Sequence, residues 1–385
     1  MRKGKEENVV ESEFYFQQNL ESIIDDIERL VRADSPSSNK KLSDQCKEVI
    51  QGMFESYFDR KAHEIEMKEV GNHLIFTYGE VREQVLLVGH YDTVWEPGQL
   101  SYYETSDKIY GPGVLDMKSS IVSAIWLLKF IHEKHIPLKR KIVLFINSDE
   151  EIGSFSSKPY LQAEAKKSSA AFILEPPVVG TGALKTSRKG TSRYLLTFKG
   201  IAAHAGNNPQ EGVSAITEAA KQIIQINAQG NIDKGTTINI GMMEGGGKLN
   251  VIPNEAHLGI DVRASSTEEQ HRIDMFFKQL KPIDKRVQIE VEGGINRPPM
   301  IKTAKSAFLF QIAEEEAEHL GIPLKEAKVG GASDGNFTSQ LCATLDGLGF
   351  IGDGIHAKHE HILKAHITER MALLTNTVLE FINEE

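Results

Sequence analysis

QVLLVGH (84–90), SSIVSAIWLLKFIHEK (119–134) and KIVLFINS (141–148) together decide the fold. The two outer runs are short, rich in Val, Leu and Ile, and almost wholly apolar inside. That is the pattern of strands covered on both faces. The middle run carries a broad apolar face at helical spacing. Strand, helix and strand at this separation form a βαβ unit, which implies a mostly parallel sheet with helices packed on it. HLIFTYG (73–79) and AAFILEPP (170–177) supply further strands. Upstream, Leu20, Ile23, Ile24, Ile27, Leu30 and Val31 recur at helical spacing. They predict a helix over about 12–33, ended by the Ser35-Pro36 turn, and a second helix over about 41–58.

After about residue 188 the texture changes. RYLLTFKG (193–200) alternates like a strand with one exposed face, and TTINIGMMEGG (236–246), HLGIDVRA (257–264) and RVQIEVEGG (286–294) read as three more strands. Helices are expected over about 211–228 and 267–280. The order β-α-β-β-α-β is that of a small α/β sandwich on an antiparallel sheet. From about 301 helices return, and GLGFIGDGIHAKHE (347–360) is loop-rich. The expected plan is α/β: residues 1–188 and 301–385 form a catalytic domain built on a mixed sheet flanked by helices, interrupted by an inserted domain at 189–300.

The bulk properties narrow the function. At roughly 100–200 residues per domain, 385 residues suit two domains. A formal net charge of -10 repels phosphate backbones and argues against nucleic-acid binding. Cys46 and Cys342 are the only cysteines and lie far apart, which suits a reducing compartment and leaves any metal to His, Asp and Glu. The first residues, MRKGKEENVVESEFYF, contain no apolar run that would suit a secretory leader. About 18 apolar residues never occur together, so no membrane span is expected. A cytoplasmic protein is the resulting expectation.

Ligands in open α/β sheets gather at the carboxyl ends of strands. VLLVGHYDTV places His90 and Asp92 where a strand runs out, on one face because the strand period is two. His90 would bind a metal, and Asp92 would accept its other ring N–H and fix the tautomer; a surface His-Asp pair is the plainer alternative. Asp116 follows a Gly-Pro-Gly turn and precedes a helix, so it is either a ligand or a helix N-cap. Asp149, Glu150 and Glu151 end an apolar strand. Three adjacent carboxylates repel, and a cation would relieve them; otherwise they form a solvated acidic loop. One Glu could bind metal while its neighbour takes a proton from water. Glu175 ends another apolar run before two prolines that pin the backbone. DGIHAKHEHI offers His356, His359 and His361, with Glu360 four residues beyond the first. A carboxylate shared between two ions would give a compact two-metal site. There is no P-loop, no dinucleotide fingerprint, no GxSxG elbow and no HExxH motif.

In this order these motifs resemble a known family: the di-zinc exopeptidases and deacylases that include glutamate carboxypeptidase, acetylornithine deacetylase, succinyl-diaminopimelate desuccinylase and peptidase T. The resemblance runs from about residue 73 to 370. It is carried by HYDTV (90–94), GPGVLDMKSS (111–120), DEEIGS (149–154), Glu175-Pro176, AHAG (203–206), LNVIP (249–253), DVR (261–263), GGASDGN (330–336) and GIHAKHE (354–360). Its texture is closest to glutamate carboxypeptidase. The resemblance implies two divalent ions, zinc first and cobalt or manganese as alternatives. His90 and Glu175 would hold one, Glu151 and His356 the other, and Asp116 would bridge them. Glu150 would be the general base, with Asp92 orienting His90. His204 would stabilise the oxyanion from the partner subunit of a homodimer formed through the inserted domain, which would also act as a lid. Asn250 and Arg263 would bind the free carboxylate of a small peptide or N-acyl amino acid, with Arg297 and Ser333 as further candidates. The chain departs from the family at Ser119 and Ser120, where the family usually has Gly. Two rival functions remain open: an aminopeptidase or dipeptidase of the same family, and a non-catalytic metal-binding regulatory protein.

Overall fold

The structure is a computed structural model that describes residues 11–384. Met1–Val10, part of the stretch read above as lacking a secretory leader, lies outside the described residues. The chain divides into two compact units. One runs through Ser187 and resumes at Lys302–Lys328 and from Ser333 onward; the other is Arg188–Ile301 with Val329–Ala332.

The first unit is organised by an eight-stranded sheet. Its centre is β3 (Gln84–His90), flanked by β6 (Lys141–Asn147) and β7 (Ser168–Ile173), and β7 pairs in turn with β14 (Ala343–Asp346). All three pairings are parallel. The remaining order is β1 (His63–Ile65) and β2 (His73–Tyr78) beyond β6, and β8 (Leu184–Arg188) and β13 (Glu326–Val329) beyond β14. The β2–β6 and β8–β14 pairings are antiparallel, so the sheet is mixed.

Alternation explains why β3 and β6 read as continuous apolar runs. Val85 and Leu87 of β3, with Ile142, Leu144 and Ile146 of β6, point into the larger core; Leu86, Val88, Val143 and Phe145 point into a second one on the opposite face. The larger core is covered by α1 (Leu20–Val31), α2 (Lys40–Phe58), α3 (Ser119–Glu133), α7 (Ala304–His319) and α9 (Ile367–Asn383). The opposite face is covered by α4 (Lys158–Ala165) and the short α8 (Gly335–Thr338). The helix expected over about 12–33 is interrupted at Asn19, whose φ of -107° and ψ of 11° leave helical geometry. The apolar spacing carries on across this break, so periodicity alone did not reveal it.

The second unit has a four-stranded antiparallel sheet in the order β10 (Thr237–Gly245), β11 (Glu255–Ala264), β9 (Gly190–Lys199), β12 (Gln288–Arg297). The alternating burial of β9 and β11 turns Tyr194, Leu196, Phe198, Leu258, Ile260 and Val262 toward α5 (Ala215–Asn227) and α6 (Thr267–Lys278). Among the described residues no helix is long and apolar enough to cross a membrane.

The central strand supports both cores at once, so it tolerates truncation poorly. Leu87→Ala, at a position with no exposure, is expected to cost about 2–5 kcal/mol. Chemical denaturation of the purified protein would show this, and an unchanged midpoint would contradict the packing described.

Candidate metal centre

The parallel strands deliver their carboxyl ends to one place. His90 is in register with Asn147, so the residues that follow β6 emerge beside it. Leu174, just past β7, donates its N–H to Val88 O, which brings Glu175 to the same edge. The turn Val114–Lys118, between Gly113 and α3, carries Asp116.

Asp116 is not a helix cap. Its φ of -120° and ψ of 90° are non-helical, and α3 begins after it with no side-chain cap. Its carboxylate instead faces two imidazoles. Oδ1 lies 3.1 Å from His90 Nε2, and Oδ2 lies 3.5 Å from His356 Nε2. Glu175 Oε1 stands 3.6 Å from His90 Nε2, and Glu151 Oε2 stands 3.0 Å from His356 Nε2. Potential ligand atoms of His90, Glu150 and Glu175 lie within 4.8 Å of one another, as do those of His90, Asp116 and Glu151. His90, Asp116, Glu150 and Glu175 are buried; His356 is exposed and holds a φ of 57°, uncommon for a residue with a side chain.

Asp92 is fully buried behind His90. Its Oδ1 is 3.3 Å from His90 Nδ1 and accepts the Glu150 N–H; its Oδ2 accepts the Glu151 N–H and the Ser37 hydroxyl, the last at 2.7 Å. Asp92 therefore orients the imidazole, its main-chain O standing 3.1 Å from Nδ1 beside the carboxylate, and its carboxylate anchors the backbone that carries both glutamates. The crowding in the Asp149–Glu151 run is relieved by direction. Asp149 Oδ2 turns to the Ser156 N–H and hydroxyl and the Ser157 N–H, capping the next turn instead of joining the cluster.

The charges confirm how dependent these groups are on one another. Burial lowers the His90 pKa, but Asp116, Asp92 and Glu175 around it hold it well above the ordinary imidazole range. Burial raises Asp116, yet the two imidazoles outweigh this and keep it well below the usual carboxylate range. Burial and the nearby Asp116 push Glu151 up to about 7. Hydrogen bonds that His356 donates to the Asp116 and Glu151 carboxylates raise its pKa to about 10. The ring nitrogens hold protons where a cation could stand, and the oxygen and imidazole donors suit zinc, manganese or cobalt. The donor set therefore fits divalent metal.

Of the other expected residues, His204, Asn250, Arg263 and Arg297 lie in the second unit. His204 is exposed, and its Nδ1 accepts the N–H groups of Gly206 at 3.1 Å and Asn207 at 3.0 Å. Its proton is thereby placed on Nε2. Asn250 is on the neighbouring segment: the Ala205 N–H donates to Asn250 O, and His204 pairs with Val251. Arg263 is engaged from both sides of its fork by Asp261, with Nε to Oδ1 2.7 Å and Nη2 to Oδ2 3.1 Å. Arg297 is buried in this unit. Ser333, in the first unit, donates its hydroxyl to Asp346 at 2.6 Å, which gives it a structural task. The residue the sequence reading left aside is Glu360. It is buried and accepts four N–H groups around the Asp116 turn. The one signal was its place as the single acid in a run of histidines and lysine.

The profile of peptidase family M20/M25/M40 matches residues 86–380. Carboxypeptidase G2 of Pseudomonas sp. (strain RS-16) is 26% identical over 78% of this chain and 75% of its own length. A succinyl-diaminopimelate desuccinylase of Nitrosomonas eutropha is 28% identical over 77% of this chain and 82% of its own. The fold is similar to that of the aminopeptidase PepT from Bacillus cereus, with a TM-score of 0.73 at 22% identity, over 94% of this chain and 99% of that one.

Because both imidazoles hold protons strongly, metal uptake must displace them. Affinity for a divalent ion is therefore expected to rise with pH up to about pH 10, where His356 loses its proton, with protons released on binding. Titration of the metal-free protein in two buffers of different ionisation enthalpy would detect the release; a pH-independent affinity would contradict the cluster's electrostatics.

Proposed function

The chain belongs to peptidase family M20/M25/M40, a family of metal-dependent hydrolases, and from that premise we propose that it cleaves an amide bond next to a free carboxylate, as a carboxypeptidase or an N-acyl amino acid deacylase. The observation that carries this reading is the Asp116 carboxylate set between His90 and His356 with Glu150 in the same cluster. Two relatives are named for related chemistry, a carboxypeptidase and a desuccinylase.

His90 and Glu175 would hold one divalent ion, Glu151 and His356 the other, and Asp116 both. Bound there, the ions would lower the pKa of water toward about 7 and polarise the scissile carbonyl. Zinc is the ion we propose, with cobalt or manganese able to fill the same donors. Asp92 holds His90 in its tautomer and keeps Glu150 and Glu151 in place through their amides. Glu150 accepts a proton from the attacking water as the new C–O bond forms. It returns that proton to the leaving nitrogen as the C–N bond breaks, giving an acid and an amine. His204, with its proton on Nε2, is the donor we assign to the developing oxyanion. We assign it across a homodimer made through the second unit, to the partner's centre. Asn250 and Arg263 are assigned to the substrate carboxylate, which suits a planar guanidinium fork. The two unpaired cysteines support a reducing, cytoplasmic location.

One observation favours a second reading. The Arg263 fork is already held by Asp261, and an arginine so engaged binds a substrate carboxylate less readily. An aminopeptidase of the same family, which recognises the substrate's amine, would not need it. A panel of N-blocked and free-amine dipeptides separates the two: turnover restricted to free-amine substrates would favour the aminopeptidase.

Glu150→Gln is expected to stay folded and bind metal while kcat falls about 10²- to 10⁴-fold. Near-normal turnover would remove Glu150 from the base role. Mixing inactive Glu150→Gln and His204→Ala subunits under exchange is expected to restore part of the activity, since half of the mixed sites would carry both residues intact. Absence of rescue would place His204 outside the partner's centre.

A further inference from the structure

We propose that Glu360 is the positioning residue of the metal centre: through the amides of the Asp116 turn, its buried carboxylate holds that turn in the conformation that presents Asp116 to both imidazoles. The inference rests on the metal-centre reading above and extends it to a residue to which no role has been given.

Glu360 is only 1% exposed. A carboxylate in such a place must be matched by donors. Oε1 accepts the N–H of Leu115 at 2.9 Å and of Asp116 at 3.2 Å. Oε2 accepts the N–H of Gly113 at 3.2 Å and the indole N–H of Trp95 at 2.7 Å. Three of the four donors are main-chain amides of one turn, a concave arrangement that favours an anion.

The turn needs this acceptor. Because Asp116 leaves helical geometry, its amide and that of Leu115 are not absorbed by a regular helical ladder. The turn's other closures are the Val114 N–H to Gly111 O and the Lys118 N–H to Gly113 O. Gly113 adopts a φ of 72°, and a Cβ built on it would come within 2.6 Å of Thr93 Cγ2. The turn is therefore pressed against the segment that follows His90 and Asp92 and that also supplies Trp95.

Glu360 also links the turn to the second imidazole. Its own N–H donates to Ala357 O, and the Ala357 N–H donates to Gly354 O, so two turns connect it to His356. Immediately after it, β16 (His361–Leu363) pairs with β5 (Lys108–Tyr110), the strand that leads into Gly111 and the Asp116 turn. One carboxylate thus joins the loop of His356, the turn of Asp116 and the segment after Asp92. Its contacts are with donors in the scaffold, so it acts through Asp116 and not on a substrate.

The test is Glu360→Gln. It preserves shape but turns an NH2 toward N–H groups and gives up one acceptor. Two readouts are taken on the folded protein. Hydrogen exchange of the metal-free protein is followed by mass spectrometry, comparing the peptide spanning 111–118 with that spanning 141–147. Zinc and cobalt binding is followed by calorimetric titration. The expected result is faster exchange at 111–118 with 141–147 unchanged, together with a loss of metal affinity of about 10- to 100-fold. Wild-type affinity in Glu360→Gln overturns the proposal, even if exchange rises, because the residue would then be only structural. If Glu360→Gln does not fold, Trp95→Phe decides: it removes one donor and keeps the ring. A several-fold fall in metal affinity supports the proposal and an unchanged affinity overturns it. A wild-type protein that binds metal but hydrolyses no peptide or N-acyl amino acid overturns the hydrolase reading alone, because neither readout depends on turnover.

Discussion

Asp116 stands between two imidazoles, with one oxygen toward His90 and the other toward His356. Much of the first unit serves this arrangement. Buried carboxylates repel one another and resist leaving water, so a cluster of them persists only if positive charge or donor hydrogens offset the cost. Here the two histidines can supply part of that charge, because the acids around them raise their affinity for a proton. A divalent cation would satisfy the same oxygens and nitrogens more fully than protons do, so the cluster is a candidate metal centre.

The sheet makes such a cluster possible. Parallel strands all end at one edge, and each of β3, β6 and β7 is buried on both faces, so the strands have little freedom to slide or tilt. His90, Glu150, Glu151 and Glu175 leave the sheet just after residues that are locked in register. Around them, the supporting acids are sorted by what they accept. Asp92 takes an imidazole, two amides and a hydroxyl; Asp149 takes the next turn; Glu360 takes the amides of the Asp116 turn. Acids that look equivalent in composition thus divide into groups gathered around the two imidazoles and groups that accept N–H and O–H bonds from the scaffold.

The second unit follows a different rule. Its antiparallel sheet buries one face against two helices, so its central strands β9 and β11 alternate clearly. The His204 ring shows how a small local fact becomes chemically useful: two backbone amides occupy Nδ1, which leaves Nε2 as the donor. Arg263 shows the reverse. Its sequence neighbour Asp261 lies on the same face of β11 two residues earlier and occupies its fork, a consequence of strand periodicity that DVR already contained.

By itself, the sequence determined the longer strands and helices and their order along the chain, because burial on one or two faces leaves a period of two or a continuous apolar run, and helices leave their own spacing; the short edge strands leave no such pattern. It also determined which acids and histidines end strands. It did not determine which of those acids meet. Asp116 could equally have capped a helix, and Glu360 was one acid in a loop of histidines. Those assignments depend on residues more than two hundred positions apart being brought within hydrogen-bonding distance, as Glu360 is to Leu115 and Asp116. Only the tertiary structure decides that, because direction and distance between side chains are set by packing of the whole sheet and not by any local pattern.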